Sequence, residues 1–312
     1  MARILVTGAA GFIGRALCRG LAARGHQVVG AVRRAGGPPI DGAARCALGD
    51  FAPETDWAPA LAGVEIVIHL AQRAHRRADA AILAREPAAA AALARAAASA
   101  GARRLVYMSS IKASGEFTAP GDKFRPDDPP RPEDAYGRTK LATERALAAV
   151  AAETGVELAT IRPPLVYGPG VGGNFRSLLR LVDSGLPLPF AAVDNRRSLV
   201  AVDNLVDFVA RAAVHPAAAG RILFARDASD LSTPALIRAL ASGLARPARL
   251  FAVPQAVFAL GRKLPGLGPA LARLTLSARL DDAATRAALG WAPPVAAETA
   301  LALTARAFRA AG

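Results

Sequence analysis

Val6-Thr7-Gly8-Ala9-Ala10-Gly11-Phe12-Ile13-Gly14 follows the apolar run Ile4-Leu5-Val6 and opens a stretch in which Ile13, Leu17 and Leu21 recur at helical spacing. A buried strand, a tight glycine turn and an amphipathic helix are the parts of a phosphate-binding βα unit. Glycine lets the turn bend sharply and lets a pyrophosphate come close to the backbone. The helix that follows offers unpaired N–H groups and the positive end of its dipole. The spacing is Gly-x-x-Gly-x-x-Gly rather than Gly-x-Gly-x-x-Gly. In this strand-to-helix context it predicts dinucleotide binding.

The rest of the chain repeats the alternation. Gln27 to Val32, Val64 to Leu70, Leu105 to Met108 and Leu158 to Ile161 read as strands. Ala80 to Ala100, ended by Gly101, and Tyr136 to about Ala152 read as helices. Strands alternating with helices at this interval predict an α/β fold with a doubly wound parallel sheet. A smaller C-terminal cap follows. Residues 1–165 are assigned to the dinucleotide-binding domain, with 197–215 returning to it; 166–196 and 216–312 are assigned to the cap.

Composition narrows the classes. The 312 residues carry 39 basic and 25 acidic side chains, a net charge of +14, yet only Lys112, Lys123, Lys140 and Lys263 are lysines. The arginines are scattered, without the basic–aromatic interleaving of nucleic-acid binding. Cys18 and Cys46 lack metal-ligand spacing, no metal is expected, and a reduced, cytoplasmic compartment fits. The N-terminus runs straight into the first strand, unlike a signal peptide. No run of about twenty uncharged apolar residues exists, so no membrane span is expected. Leu250 to Leu260, followed by Arg262 and Lys263, reads as a packed helix of the C-terminal region in preference to a membrane-surface contact.

At the end of the second strand, a carboxylate would accept hydrogen bonds from the adenosine ribose hydroxyls. Arg33 and Arg34 stand there instead and suit a 2′-phosphate, which favours NADP(H) over NAD(H). Asp50 is placed to meet the adenine amino group. Leu70 and Ala71 close a strand where the cofactor passes the backbone. His69 and His75 nearby read as structural. Tyr136 and Lys140 are four apart on one helix face. A phenol titrates near pH 10, and a neighbouring ammonium favours its ionised form, so the pair suits acid–base work on an alcohol or carbonyl. Ser110, at the end of a strand, can hydrogen-bond the same substrate oxygen.

Over its whole length the chain resembles the extended short-chain dehydrogenase/reductase family, the NAD-dependent epimerase/dehydratases. The residues that carry the likeness are Thr7 to Gly14, Ser109-Ser110, Tyr136-x-x-x-Lys140, Arg162-Pro163 and Leu289-Gly290-Trp291. More narrowly it is similar to a UDP-glucose 4-epimerase-like subgroup that includes reductases of UDP-4-keto-6-deoxy-N-acetylhexosamines in polysaccharide synthesis. The segments that match are Ser109 to Lys112, Pro132 to Lys140 and Asn195 to Asp207.

The resemblance implies that Gly8, Gly11, Phe12, Ile13, Gly14, Arg33, Arg34, Asp50, Leu70, Ala71, Lys140, Pro163 and Val166 hold the cofactor. It implies that Ser110 positions the C4 oxygen, that Tyr136 is the acid and base, and that Lys140 grips the nicotinamide ribose and depresses the tyrosine pKa. Asn174 and Arg197 are implied as contacts to the diphosphate of a nucleotide-sugar. A homodimer through the helices near 84–100 and 136–152 is implied too.

The sequence departs from the family at Glu86, where Asn is usual. Ile111-Lys112 also stand where 4,6-dehydratases carry Asp-Glu, which argues against a dehydratase. The function expected from this reading is reduction of a UDP-4-keto-hexosamine with NADPH. The alternatives are a UDP-sugar 4-epimerase with retained NAD and a non-catalytic NADP-binding regulator.

Overall fold

The computed structural model describes residues 1–72 and 80–311. His75 lies outside the described residues. In chain order the elements are β1 (Arg3–Thr7), α1 (Phe12–Ala22), β2 (Gln27–Val32), β3 (Ala44–Ala47), α2 (Ala58–Leu61), β4 (Ile66–His69), α3 (Ala80–Ser99), β5 (Arg104–Met108) and α4 (Ala135–Thr154). They continue as β6 (Glu157–Ile161), β7 (Leu165–Tyr167), α5 (Gly173–Asp183), β8 (Leu199–Ala201), α6 (Val202–Val214) and β9 (Arg221–Leu223). The chain ends with α7 (Thr233–Gly243), α8 (Gln255–Gly261), α9 (Gly268–Thr275), α10 (Ala283–Leu289) and α11 (Ala297–Ala310).

The main sheet has seven strands in the order β3-β2-β1-β4-β5-β6-β9, and every neighbouring pair is parallel. The strand order reverses between β1 and β4, which opens a ligand crevice at their C-terminal ends. Successive strand residues point to opposite faces, and here both faces are covered. Ile4 and Val6 pack with α1 and α6, while Leu5 packs with α3 and α4. This is why the strands read as continuous apolar runs.

A third cluster builds the C-terminal region from α5, α7, α8 and α11, around Phe175, Phe190, Leu240 and Leu301. Buried polar groups fasten it to the sheet. Tyr167 donates to Asp227 at 2.7 Å, and Asn204 donates to Asp227 at 2.7 Å and to the Val295 carbonyl at 2.9 Å.

Two parts of the chain assigned to the cap from sequence lie elsewhere. Arg221 to Leu223 form the seventh strand of the main sheet, beside β6. Leu289 and Trp291 belong to the sheet's core cluster; the Trp291 ring meets Phe208 edge-on at 4.9 Å, and its indole N–H donates to Asp207 at 2.9 Å. Both segments are short, and their partners lie far away in the chain. β8, expected within the returning segment, pairs with β7 in a separate two-stranded sheet; α6 is the part of that segment that packs on the main sheet.

Candidate active site

The glycine turn is built by backbone proximity. Gly8 has φ +68°, and a Cβ there would lie 3.0 Å from the Ala71 amide nitrogen. A Cβ at Gly14 would fall 2.2 Å from the Gly8 carbonyl oxygen. The turn can therefore close only with glycine at both positions. Gly11 is the N-cap of α1, and no side chain bonds the first-turn amides, so those amides are open to an anion.

Thr7 braces the next strand end. Its Oγ1 accepts from the Leu70 and Ala71 amides at 3.1 and 3.0 Å and lies 2.8 Å from His69 Nδ1. With both lone pairs engaged, the Thr7 hydroxyl donates to Nδ1, which fixes a neutral imidazole protonated at Nε2. Burial, reinforced by the Lys140 charge, pulls the His69 pKa down to about 3. His69 is a structural residue.

Ser110, Tyr136 and Lys140 come together where β5 ends and α4 begins. The Ser110 hydroxyl lies close enough to the Tyr136 phenol to favour its ionised form. Lys140 Nζ donates to the Met108 carbonyl at 2.6 Å and stands 5.7 Å from the centre of the Tyr136 ring. The turn after Ser110 is pressed onto α4. Lys112 Nζ reaches Glu116 at 2.6 Å and Asp134 at 2.5 Å, while Asp134 caps α4 by accepting from the Gly137 amide at 2.7 Å. Lys112 thus aligns the segment bearing Ser110 with the helix bearing Tyr136.

Beneath them, Glu144 and Arg162 form a buried two-pronged ion pair at 2.9 and 2.5 Å. Ser109 donates to Glu144, and Arg162 donates to Ser114 at 3.0 Å. Pro163 follows at once, and its carbonyl accepts from the Ile111 amide at 3.0 Å. Val166, on β7, is half-buried two residues from the buried Pro164.

The phenol of Tyr136 is held well above its ordinary range, first by burial and then by the Glu86 and Asp134 carboxylates; the nearby Ser110 hydroxyl opposes this. Burial lowers the Lys140 ammonium to about 7, against the pull of Glu86 and Glu144. Spacing put the two groups on one face but could not show how dry that face is.

The remaining sequence candidates are placed as follows. Phe12 and Ile13 lie half-buried in the first turn of α1, and Leu70 and Ala71 half-buried after β4. Arg33, Arg34 and Asp50 are all exposed beyond β2 and β3, and Arg33 pairs with Asp50 at 3.5 Å. That pairing gives one of the two arginines a carboxylate already. Asn174 is exposed in the first turn of α5.

Arg197 is enclosed. It donates to the Leu276 carbonyl at 3.2 Å, and burial, then the Arg273 charge, lowers its pKa to about 10 while Glu116 opposes. Two cations are thus close enough here to act on each other. Arg273 was not singled out from sequence; among so many scattered arginines it carried no signal. Glu86 was noted only as a departure from the family. It accepts from the Gln72 amide and acts on both Tyr136 and Lys140.

Comparison with known proteins agrees with this geometry. The model of the NAD dependent epimerase/dehydratase family matches residues 4–223. The chain belongs to that family. As a family member it is 38% identical to a UDP-glucose 4-epimerase of Vibrio cholerae over 98% of this chain and 95% of the relative. The structure of a UDP-N-acetylglucosamine 4-epimerase from Bacillus cereus superposes with a TM-score of 0.79 at 17% identity, covering 99% of each chain. That of a Thermus thermophilus UDP-glucose 4-epimerase in complex with NAD does so at 0.76 and 22% identity, covering 99% of this chain and 100% of the other. The epimerase/dehydratase fold is thus shared from end to end.

Proposed function

We propose that this family member is a UDP-sugar 4-epimerase that works with a retained NAD. The observation that carries the reading is the end-to-end likeness to the Vibrio cholerae UDP-glucose 4-epimerase, with Ser110, Tyr136 and Lys140 assembled at the sheet's crevice. The first turn of α1 would take the cofactor pyrophosphate on its open amides, with Gly8 and Gly14 keeping the approach clear. Leu70, Ala71, Pro163 and Val166 would flank the rest of the cofactor, and Lys140 would meet its ribose. Oxidised nicotinamide supplies a hydride acceptor and a positive charge that favours the Tyr136 phenolate.

Tyr136 takes the proton from the 4-hydroxyl while Ser110 holds that oxygen. Arg197, Arg273 and Asn174 hold the diphosphate while the 4-keto sugar turns over. Once the sugar presents the other face of C4 to the hydride that the reduced nicotinamide would give back, Tyr136 returns the proton to the same oxygen. Substrate and product differ only in configuration, and no cofactor is consumed.

The second reading, net reduction of a UDP-4-keto-hexosamine with NADPH, is favoured by Arg33 and Arg34 alone. The Arg33–Asp50 pair weakens it. In either case we expect a homodimer through the outer faces of α3 and α4, which lie side by side and are tied by Arg95 and Glu153 at 2.9 Å.

The deciding experiment is the mass of the nucleotide released when the purified protein is denatured, with UDP-glucose and UDP-galactose interconversion measured in parallel. Stoichiometric NAD with interconversion supports the epimerase. Little bound cofactor, with NADPH oxidised only when a UDP-4-keto-sugar is present, transfers the assignment to the reductase. Turnover surviving in Tyr136→Phe would defeat both.

A further inference from the structure

The C-terminal region presents an apolar face that none of the described residues covers. Leu186, Phe251, Val257, Leu260, Leu264 and Leu267 are each between 47% and 67% exposed. They are six of the ten large apolar side chains that stand exposed among the described residues. They share one foundation. Leu188 exchanges backbone bonds with Arg249 and Phe251 at 2.8 and 3.0 Å, which ties the segment carrying Leu186 to the one carrying Phe251. Phe258 turns inward from α8 and stacks on Phe190 at 5.7 Å, so its neighbours Val257 and Leu260 face outward. Gly261, at the end of α8, sits against Leu271 of α9. Isolated exposed leucines need no explanation, but a cluster on one short stretch marks a contact surface.

Charge says what the contact is. From Leu231 to Leu280 the chain has no acidic residue, while Arg238, Arg246, Arg249, Arg262, Lys263, Arg273 and Arg279 are all basic. Arg249 and Lys263 flank the apolar face, are exposed, and form no ion pair among the described residues. A second copy of this chain would set two strongly basic stretches against each other. An anionic lipid surface would take the apolar side chains into its acyl boundary and the cations at its headgroups. We propose that the α8–α9 face, with Leu186 and Phe251, docks this protein peripherally on an anionic bilayer. No helix among the described residues is long and apolar enough to cross a membrane, so the attachment lies in the plane of the surface.

The test is flotation of the full-length protein with vesicles of phosphatidylcholine containing about a third phosphatidylglycerol, against vesicles of phosphatidylcholine alone. The protein is expected to float with the anionic vesicles and to be released by high salt. The pair Leu260→Ser and Leu264→Ser is expected to abolish flotation. Arg249→Glu with Lys263→Glu is expected to weaken partition by about tenfold or more. Both double variants lie outside the site and should keep the thermal midpoint and the turnover of a water-soluble nucleotide-sugar. Equal behaviour on neutral and anionic vesicles, or variants that float like the parent, would overturn the proposal. So would a change in oligomeric state in Leu260→Ser, Leu264→Ser without lipid, because a second copy would then be the occupant.

Discussion

A Cβ added at Gly137 would fall 2.4 Å from the carbonyl oxygen of Lys112. The contact is backbone against helix, with no flexible side chain to give way. It sets the distance between the turn that follows Ser110 and the first turn of α4, where Tyr136 lies.

Gly137→Ala is therefore expected to push these two segments apart and move Ser110 away from Tyr136. Displacement of about an ångström at reacting groups costs about a hundredfold in kcat. Overpacking costs about 1–3 kcal/mol of stability. Steady-state kinetics and thermal melts on the same preparation check both, and a variant with parental kcat would refute the alignment argument.

Lys140 gives a pH-dependent signature. Folded, its ammonium is held down to about 7; its ordinary value is 10.5. Between those limits the unfolded chain binds more protons, so stability rises with pH across that window. The penalty for burying Lys140 is full below pH about 7 and fades toward 10.5. In nucleotide-free protein, the midpoint of Lys140→Met relative to the parent is expected to be highest near pH 6 and to fall steadily toward pH ~10. A flat difference would mean that Lys140 is not desolvated.

Glu86 bears on both members of the acid–base pair. Its negative charge raises the Tyr136 phenol and supports the Lys140 ammonium. Glu86→Gln removes that charge and leaves the shape. Both groups should then ionise at lower pH, moving the acidic limb of the kcat profile downward. If only KM changes, Glu86 acts on substrate instead.

The Glu144–Arg162 pair underlies the site at close to complete burial, with side chains 7% and 2% exposed. Arg162→Met leaves Glu144 charged and unpaired and should cost about 3–5 kcal/mol. Adding Glu144→Met should recover most of that loss. Chemical denaturation of the two singles and the double, read as a cycle, measures the coupling.

Arg197 should show the opposite balance. It is a cation held in a dry place beside another cation, so Arg197→Met should leave the midpoint unchanged or raise it. KM for the nucleotide-sugar should rise about ten- to a hundredfold as charged hydrogen bonds to phosphate are lost. Cofactor binding should stay intact. A collapse in stability would mark Arg197 as structural.

How much of this could be read from the chain depended on distance along it. The glycine turn, the Tyr136–Lys140 face and Ser110 at a strand end are patterns within a few residues, and the structure places each in that setting. The doubly wound sheet followed from the same kind of local periodicity. Arg162 was noticed as half of a motif, but its partner Glu144 lies on another element and could not be named. Arg273 and Glu86 matter through neighbours far away in the chain. How far the Lys140 ammonium is lowered depends on how thoroughly β5 and α4 exclude water around it, which spacing does not record.

The seventh strand and the Trp291 ring carry a consequence for how the protein is made. A ribosome that has released residues 1–165 has released a sheet without its β9 edge strand and a core without the indole that packs on Phe208. Trp291 lies far downstream of that point, so the nucleotide-binding half stays incomplete while the whole C-terminal region is being synthesised. The first lobe therefore gains its last strand and its last core ring only from residues made after it.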